Sequence, residues 1–148
     1  MIRQPNNYTC GPIVLYNLQT WSQSKILTYR QLYILTKCNP QTGTFTKDFE
    51  IALAALIKIS NLKLIEKQIQ PKKLSLNNNR QAIVMEYFTH LQFLHFILIV
   101  MDQDQNLIMI NEGAENKEIP LIQSAKHLKI KRYEKNGIKY PIVWKIQL

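Results

Sequence analysis

The sequence has 148 residues, of which 46% are hydrophobic and 20% are charged, so we expect a single domain over 1–148 with its own core. This composition excludes a disordered chain. No apolar run reaches the roughly 20 residues of a membrane span, and no secretory signal opens the chain, so we expect a cytoplasmic protein without a membrane span. A net charge of +9 favours an acidic partner, and two cysteines are too few for a disulfide framework.

The N-terminal half is predicted to be helical. Apolar residues follow helical spacing from Cys10 to Trp21, over about 29–37, and from about Thr46 onward. Pro12 suits the first turn of the first helix, which places Cys10 at a helix N-terminus. The segment 38–43 is rich in loop-forming residues and predicts a loop.

The C-terminal half changes to short apolar segments divided by polar turns, which predicts strands. Segment 95–101 and segment 106–110 are joined by a polar link of hairpin length and should be antiparallel. A short amphipathic helix is predicted over about 120–129, and a turn at Lys135-Asn136-Gly137. The predicted fold class is therefore α+β, with helices first and an antiparallel sheet second. The predicted strands are 62–69, 81–88, 95–101, 106–110 and 140–148.

Cys10 is the candidate nucleophile. The thiolate is the reactive form of cysteine, and the partial positive charge and free N–H groups of a helix N-terminus stabilise an anion. A buried structural cysteine at a helix start is the alternative interpretation of the Cys-Gly-Pro tripeptide, because free cysteine commonly belongs to a core.

Further residues along the chain supply the groups that a cysteine nucleophile needs. His95 opens an apolar strand, where its imidazole would form an activated pair with the Cys10 thiol. Either Asn111 or Glu112, at the end of the next strand, would orient the ring. The Gln4 side-chain amide and the Cys10 backbone N–H would form a two-donor oxyanion hole. Taken singly, each of these residues also has an ordinary surface interpretation.

The ordered set resembles the C39 peptidase family of the papain-like cysteine proteases over nearly the whole chain. The resemblance rests on Gln4, on Cys10-Gly11-Pro12, on the strand that begins at His95 and on the next strand up to Asn111 and Glu112. It implies a papain-like α+β fold with the nucleophile at the start of the central helix, packed on a C-terminal antiparallel sheet. It also implies Gln4 as oxyanion donor, Cys10 as nucleophile and His95 as general base and acid, with no cofactor.

The third catalytic position departs from the family pattern. Family members commonly have Asp followed by Pro there, whereas this chain reads Ile110-Asn111-Glu112-Gly113. An ungapped alignment from His95 places Asn111 at the Asp position and is favoured, whereas alignment on the following turn places Glu112 there. Because a neutral Asn stabilises imidazolium less than Asp does, activity is less firmly implied than fold.

Substrate and partner follow from the same resemblance. Family members are often the N-terminal domains of exporters and cut leader peptides after a double glycine, but this sequence shows no membrane or nucleotide-binding part. We therefore expect a free-standing thiol-dependent peptidase or amide hydrolase that cleaves a peptide or protein through an acyl-enzyme. The alternative is a catalytically inactive papain-like module that binds a peptide or protein. Tyr8 and Gly11 are expected at the substrate cleft, and a packing role for Tyr8 stays open.

Other candidate sites are weaker. His90, His127 and Cys38 match no zinc-ligand spacing, so no metal site is expected. The basic segment 126–139 lacks aromatic interleaving and is interpreted as a solvated face, so nucleic-acid binding is not expected. The sequence carries no signal for an oligomeric state.

Overall fold

The computed structural model describes residues 8–88, 94–110, 118–120 and 132–148. In this part of the chain three helices precede eight strands, which confirms the predicted α+β class with helices first. The helices are α1 (Cys10–Trp21), α2 (Tyr29–Leu35) and α3 (Thr46–Ile59). The strands are β1 (Lys63–Ile69), β2 (Gln81–Phe88), β3 (Leu94–Met101), β4 (Leu107–Ile110), β5 (Glu118–Pro120), β6 (Tyr133–Lys135), β7 (Ile138–Tyr140) and β8 (Ile142–Gln147).

One predicted region differs from the structure, and one predicted helix is not tested. The predicted last strand, 140–148, is β8 alone, and it is preceded by the short hairpin β6–β7, which the sequence reading treated as a turn only. Asn136 and Gly137 close this hairpin with φ values of 53° and 77°, as a two-residue turn between twisted strands requires. The helix predicted over 120–129 lies outside the described residues, apart from Pro120, which ends β5.

The strands form two antiparallel sheets. The larger has six strands in the order β1-β8-β2-β3-β4-β5, and the smaller is the hairpin β6–β7. The predicted β3–β4 hairpin is confirmed, with Leu98 opposite Ile110. Within the described residues β1 is an outermost strand of the larger sheet, and its pairing with β8 is interrupted by a register shift between Leu64 and Glu66.

The central strands of the larger sheet, β8, β2 and β3, are buried on both faces. One face packs under the helices, where Phe49 of α3 stacks on Phe96 of β3 at 4.1 Å between ring centroids and lies 5.3 Å from the ring of Trp144. The opposite face carries a second apolar cluster that includes Ile97 and Ile99 of β3. Because successive side chains of a strand point to opposite faces, even-numbered residues of β3 face the helices and odd-numbered ones face away.

Among the described residues, no helix combines the length and the apolar character that crossing a bilayer requires.

Candidate functional site

Cys10 is the first residue of α1, as the sequence predicts, and its side chain is buried. The helix begins when the Ile13 N–H donates to the Thr9 carbonyl at 3.1 Å. Gly11 follows in the first turn, where an added Cβ would lie 2.7 Å from Thr44 Oγ1. Glycine therefore lets the start of α1 lie directly against the residues that lead into α3.

A cavity of about 1020 Å³ opens beside Cys10, and we call it the cleft. Its walls are the start of α1 with Tyr8, the loop and helix start at 40–47, the start of β3 and the hairpin β6–β7. A volume of this order is typical of sites that hold a ligand of several residues or rings. Tyr8 lies on its wall, and its role in holding substrate stays a prediction.

Cys38 lies close to the same helix start but is held differently. Its thiol donates to the Tyr8 carbonyl at 3.3 Å. Burial raises the pKa of the Cys38 thiol, so the neutral form is favoured there. Cys10 and Cys38 are equally buried, at 6% and 7% exposure, yet only Cys10 lines the cleft. Cys38 is therefore a matched reference for the chemistry of Cys10.

His95 lies on the other face of the sheet. Its ring makes an edge contact with that of Tyr87 at 5.8 Å between centroids, and Tyr87 is its partner across β2 and β3 and packs on the cluster of the far face. The residues on either side, Leu94 and Phe96, are the ones that line the cleft. The two-residue period of the strand accounts for this alternation of neighbouring side chains. The pairing of His95 with Cys10 stays a prediction.

Other sequence-predicted residues lie outside the described part of the chain. These are Gln4, Asn111 and Glu112, and also His90 and His127 of the rejected zinc interpretation. The basic segment is described only from Arg132 onward. Gly11 is buried at the helix start against Thr44.

A buried carboxyl behind the cleft was not anticipated from the sequence. Glu86 of β2 is completely buried on the helix side of the sheet, where Phe96 is its cross-strand neighbour. Thr46 Oγ1 lies 2.8 Å from Glu86 Oε1, to which it donates when the carboxyl is ionised, and 2.8 Å from the Tyr140 hydroxyl. Glu86 Oε2 has no hydrogen-bond partner among the described residues. Three polar groups thus form a chain from the buried carboxyl to Tyr140 and Thr46, which both line the cleft.

The environment of Glu86 favours its neutral form. Burial raises the pKa of the carboxyl to about 8, the Thr46 hydrogen bond opposes this rise, and the Glu50 carboxylate adds to it. Burial also raises the pKa of the Tyr140 hydroxyl. A signal for this site was present in the sequence, because Glu86 is the only charge within the apolar run of segment 81–88. A charged residue at a core position of a strand indicates a built polar site.

The charged side chains on the wall of the cleft are both cationic. Lys47 comes from the first turn of α3 and Lys135 from the end of β6. Neither takes part in a salt bridge within the described ranges, where Lys37 with Asp48 and Lys67 with Glu50 are the pairs seen. The cleft is therefore electropositive at its wall. The described part of the chain also holds no cluster of His, Cys, Asp and Glu that would bind a metal ion.

Comparison with known proteins gives a structural likeness. No protein-family model matches the chain, and no curated protein matches it. Among solved structures, the fold is similar to that of a double glycine motif protease from an AMS/PCAT transporter, solved in complex with the leader peptide. The TM-score is 0.61 with 14% sequence identity, over 100% of this chain and 91% of the other. At this identity the likeness shows a C39-like α+β protease fold.

Proposed function

We propose that this chain binds a peptide segment in the cleft and cleaves it with Cys10 as nucleophile. The observation that carries the proposal is the position of Cys10, at the first residue of α1 and on the wall of a cavity of about 1020 Å³. The helix N-terminus supplies positive potential and unpaired N–H groups, which favour a thiolate and the oxyanion that forms when it attacks a carbonyl. Support also comes from the protease of similar fold, which was solved with a leader peptide bound.

The remaining catalytic roles are part of the same proposal. Gln4 and the Cys10 N–H hold the oxyanion, His95 protonates the leaving amine and then activates water, and Asn111 or Glu112 orients the imidazole. This scheme requires His95 to enter the cleft. A change of one residue in the register at the start of β3 would do so, because it exchanges the faces of Leu94, His95 and Phe96.

A second candidate function is peptide binding without cleavage. The placement of His95 beside Tyr87, which packs on the far-face cluster, favours it. In this case the cleft keeps its size and its cationic wall, and Cys10 is a buried wall residue. Both candidate functions include peptide binding, and they differ in whether the bound peptide is cleaved.

Alkylation tests the activated thiol. Purified protein is treated with iodoacetamide at neutral pH, and modification of Cys10 and Cys38 is followed separately by peptide mapping. We expect Cys10 to react at least 10-fold faster, on the order expected when one thiol is a stabilised thiolate and the other is held neutral. The two residues have nearly equal overall exposure, although only Cys10 lines the cleft. Equal rates would contradict an activated nucleophile.

Binding and cleavage are then measured with one probe, a capped peptide that contains a Gly-Gly pair, chosen after the protease of similar fold. The peptidase proposal predicts that wild-type protein binds and cleaves it, that Cys10→Ala binds without cleaving, and that His95→Ala does likewise. Cys38→Ala is the matched control and should cleave as wild type does. Binding with no cleavage by any of the proteins would establish the second candidate, and absence of binding would contradict both.

A further inference from the structure

The chain of groups from Glu86 through Thr46 to Tyr140 has one proton fewer when the carboxyl is ionised than when it is neutral. With an ionised carboxylate, the Thr46 hydroxyl donates to Glu86 Oε1, and the Tyr140 hydroxyl must then donate to Thr46. In that state the Tyr140 hydroxyl has no proton left to donate to a ligand.

With a neutral carboxyl the direction reverses. A proton on Oε1 has an acceptor in Thr46 Oγ1 at 2.8 Å, whereas a proton on Oε2 would be a buried donor with no partner among the described groups. The Oε1 position is therefore preferred. Thr46 then donates to the Tyr140 oxygen, and the Tyr140 O–H is left to donate elsewhere.

The cleft is where that donor can point. Tyr140 and Thr46 both line it, although Tyr140 as a whole is only 2% exposed. Lys47 and Lys135 also lie on its wall. A donor hydroxyl and two cations favour a ligand that presents oxygen acceptors.

We propose that Tyr140 is the hydrogen-bond donor of the cleft for a carbonyl or carboxylate oxygen of the bound peptide, and that Glu86 and Thr46 are positioning residues that turn its O–H toward the cleft. This inference rests on the proposed peptide binding and adds to it the atom class that the cleft selects. No covalent step is involved, because ionisation of Glu86 releases one proton to solvent and reverses two hydrogen bonds.

The groups that face Glu86 are consistent with a neutral carboxyl at pH 7. From α3 come the Thr46 hydroxyl and the Glu50 carboxylate, which is paired with Lys67 of β1 at 2.8 Å. From β7 comes Tyr140, and the neighbours across the sheet, Phe96 and Ile142, are apolar. The cations of the cleft wall, Lys47 and Lys135, are not among the groups that set the carboxyl pKa, which burial raises to about 8.

The first arm of the test needs no ligand. Difference infrared spectra report a protonated carboxyl by its carbonyl stretch. We expect this band in wild-type protein at neutral pH, with loss near pH 8, and no such band in Glu86→Gln. In Thr46→Val the band should shift, and in Thr46→Ser, which keeps the hydroxyl, it should stay. Absence of the band in wild type, or a band that Thr46→Val leaves unchanged, would overturn the inference.

The second arm measures affinity for two probes from about pH 6 to about pH 10. One is a capped peptide that ends in a Gly-Gly amide, and the other ends in a Gly-Gly carboxylate, so the pair separates carbonyl from carboxylate recognition. Wild-type affinity for the recognised probe should fall by about 5-fold as pH rises through 8, which is the value of one ordinary hydrogen bond. Tyr140→Phe should bind about 5-fold more weakly at pH 7 and lose this step.

Conservative variants separate positioning from packing. Thr46→Val and Glu86→Gln should lose the pH step, Thr46→Ser should restore it, and the exposed Glu66→Gln is a neutral control. If wild type binds a probe and Tyr140→Phe binds it equally well, the inference fails while the proposed peptide binding stands. If wild type binds neither probe, the proposed function fails and the inference with it.

Discussion

At the scale of single residues, Glu86 is the group whose chemistry departs most from its ordinary behaviour. A carboxyl with a folded-state pKa near 8 and an unfolded value near 4.5 binds its proton more tightly in the native state. Between these values the native state holds more protons than the unfolded state, so stability falls as pH rises. The stabilisation is fully present below about pH 4.5 and is lost as the pH passes through 8.

We therefore expect the free energy of unfolding of wild-type protein to fall between pH 5 and pH 8, with a slope approaching ~1.4 kcal/mol per pH unit. Urea unfolding of wild type, Glu86→Gln and the exposed Glu66→Gln at several pH values measures it. Glu86→Gln should lose this slope, and Glu66→Gln should keep it. A slope of the same sign and size in Glu86→Gln would assign the effect to another group.

Gly11 is the second residue with a sharp requirement, because the start of α1 lies against Thr44. We expect Gly11→Ala to destabilise the protein by about 1–3 kcal/mol, since its Cβ would lie 2.7 Å from Thr44 Oγ1. Thr44→Ala in the same chain should recover part of this loss by removing the hydroxyl and the methyl group. Chemical denaturation of the two single variants and the double variant gives the coupling, and strict additivity would contradict the steric cause.

At the scale of elements, the helices and strands were largely predictable because their apolar residues repeat with the periods of helix and strand. The segment that begins at Cys10 became α1, and segment 81–88 became β2 with the bounds expected. The hairpin β6–β7 was missed because its strands have three residues each, too few for a period to show, although Asn136-Gly137 is a hairpin signal.

The candidate site was predictable in part. The position of Cys10 at a helix start was predictable and is confirmed, and its role as nucleophile stays a prediction. The face of His95 depends on register, which a list of residues in chain order does not contain. The role of Glu86 does not follow from the strand pattern, because the pattern does not tell whether an isolated acid within an apolar strand is buried or exposed.

The packing of α3 on the sheet can be measured by its contribution to the free energy of unfolding. Phe49→Ala should destabilise the protein by about 3–5 kcal/mol, because its ring stacks on Phe96 and lies against Trp144. Phe45→Ala is the matched control, since that ring is 58% exposed and should change stability by at most about 0.5 kcal/mol. Equal effects in denaturant titrations would contradict the assignment of the core.

At the scale of the whole molecule, the net charge is +9, and Lys47 and Lys135 place part of this positive charge on the wall of the cleft. An acidic peptide should therefore associate faster than a neutral one of the same length, and its rate constant should fall with added salt. Stopped-flow association at several ionic strengths measures this. Lys47→Gln with Lys135→Gln should flatten the salt dependence, whereas Lys63→Gln at the far edge strand should leave it nearly unchanged. If the variant with Lys47→Gln and Lys135→Gln kept the wild-type salt dependence, the charge that attracts the peptide would lie elsewhere on the protein.

The irregular pairing of β1 bears on how the protein behaves at high concentration. This outermost described strand exposes Leu64, Ile65 and Ile69, a surface on which another chain could add a strand. The shift between Leu64 and Glu66 breaks the even row of backbone donors and acceptors, and the exposed lysines Lys63 and Lys67 flank it. A second copy that approached this edge would meet a bent template. Fibre-like growth of the sheet is thereby opposed by the shape of a single strand.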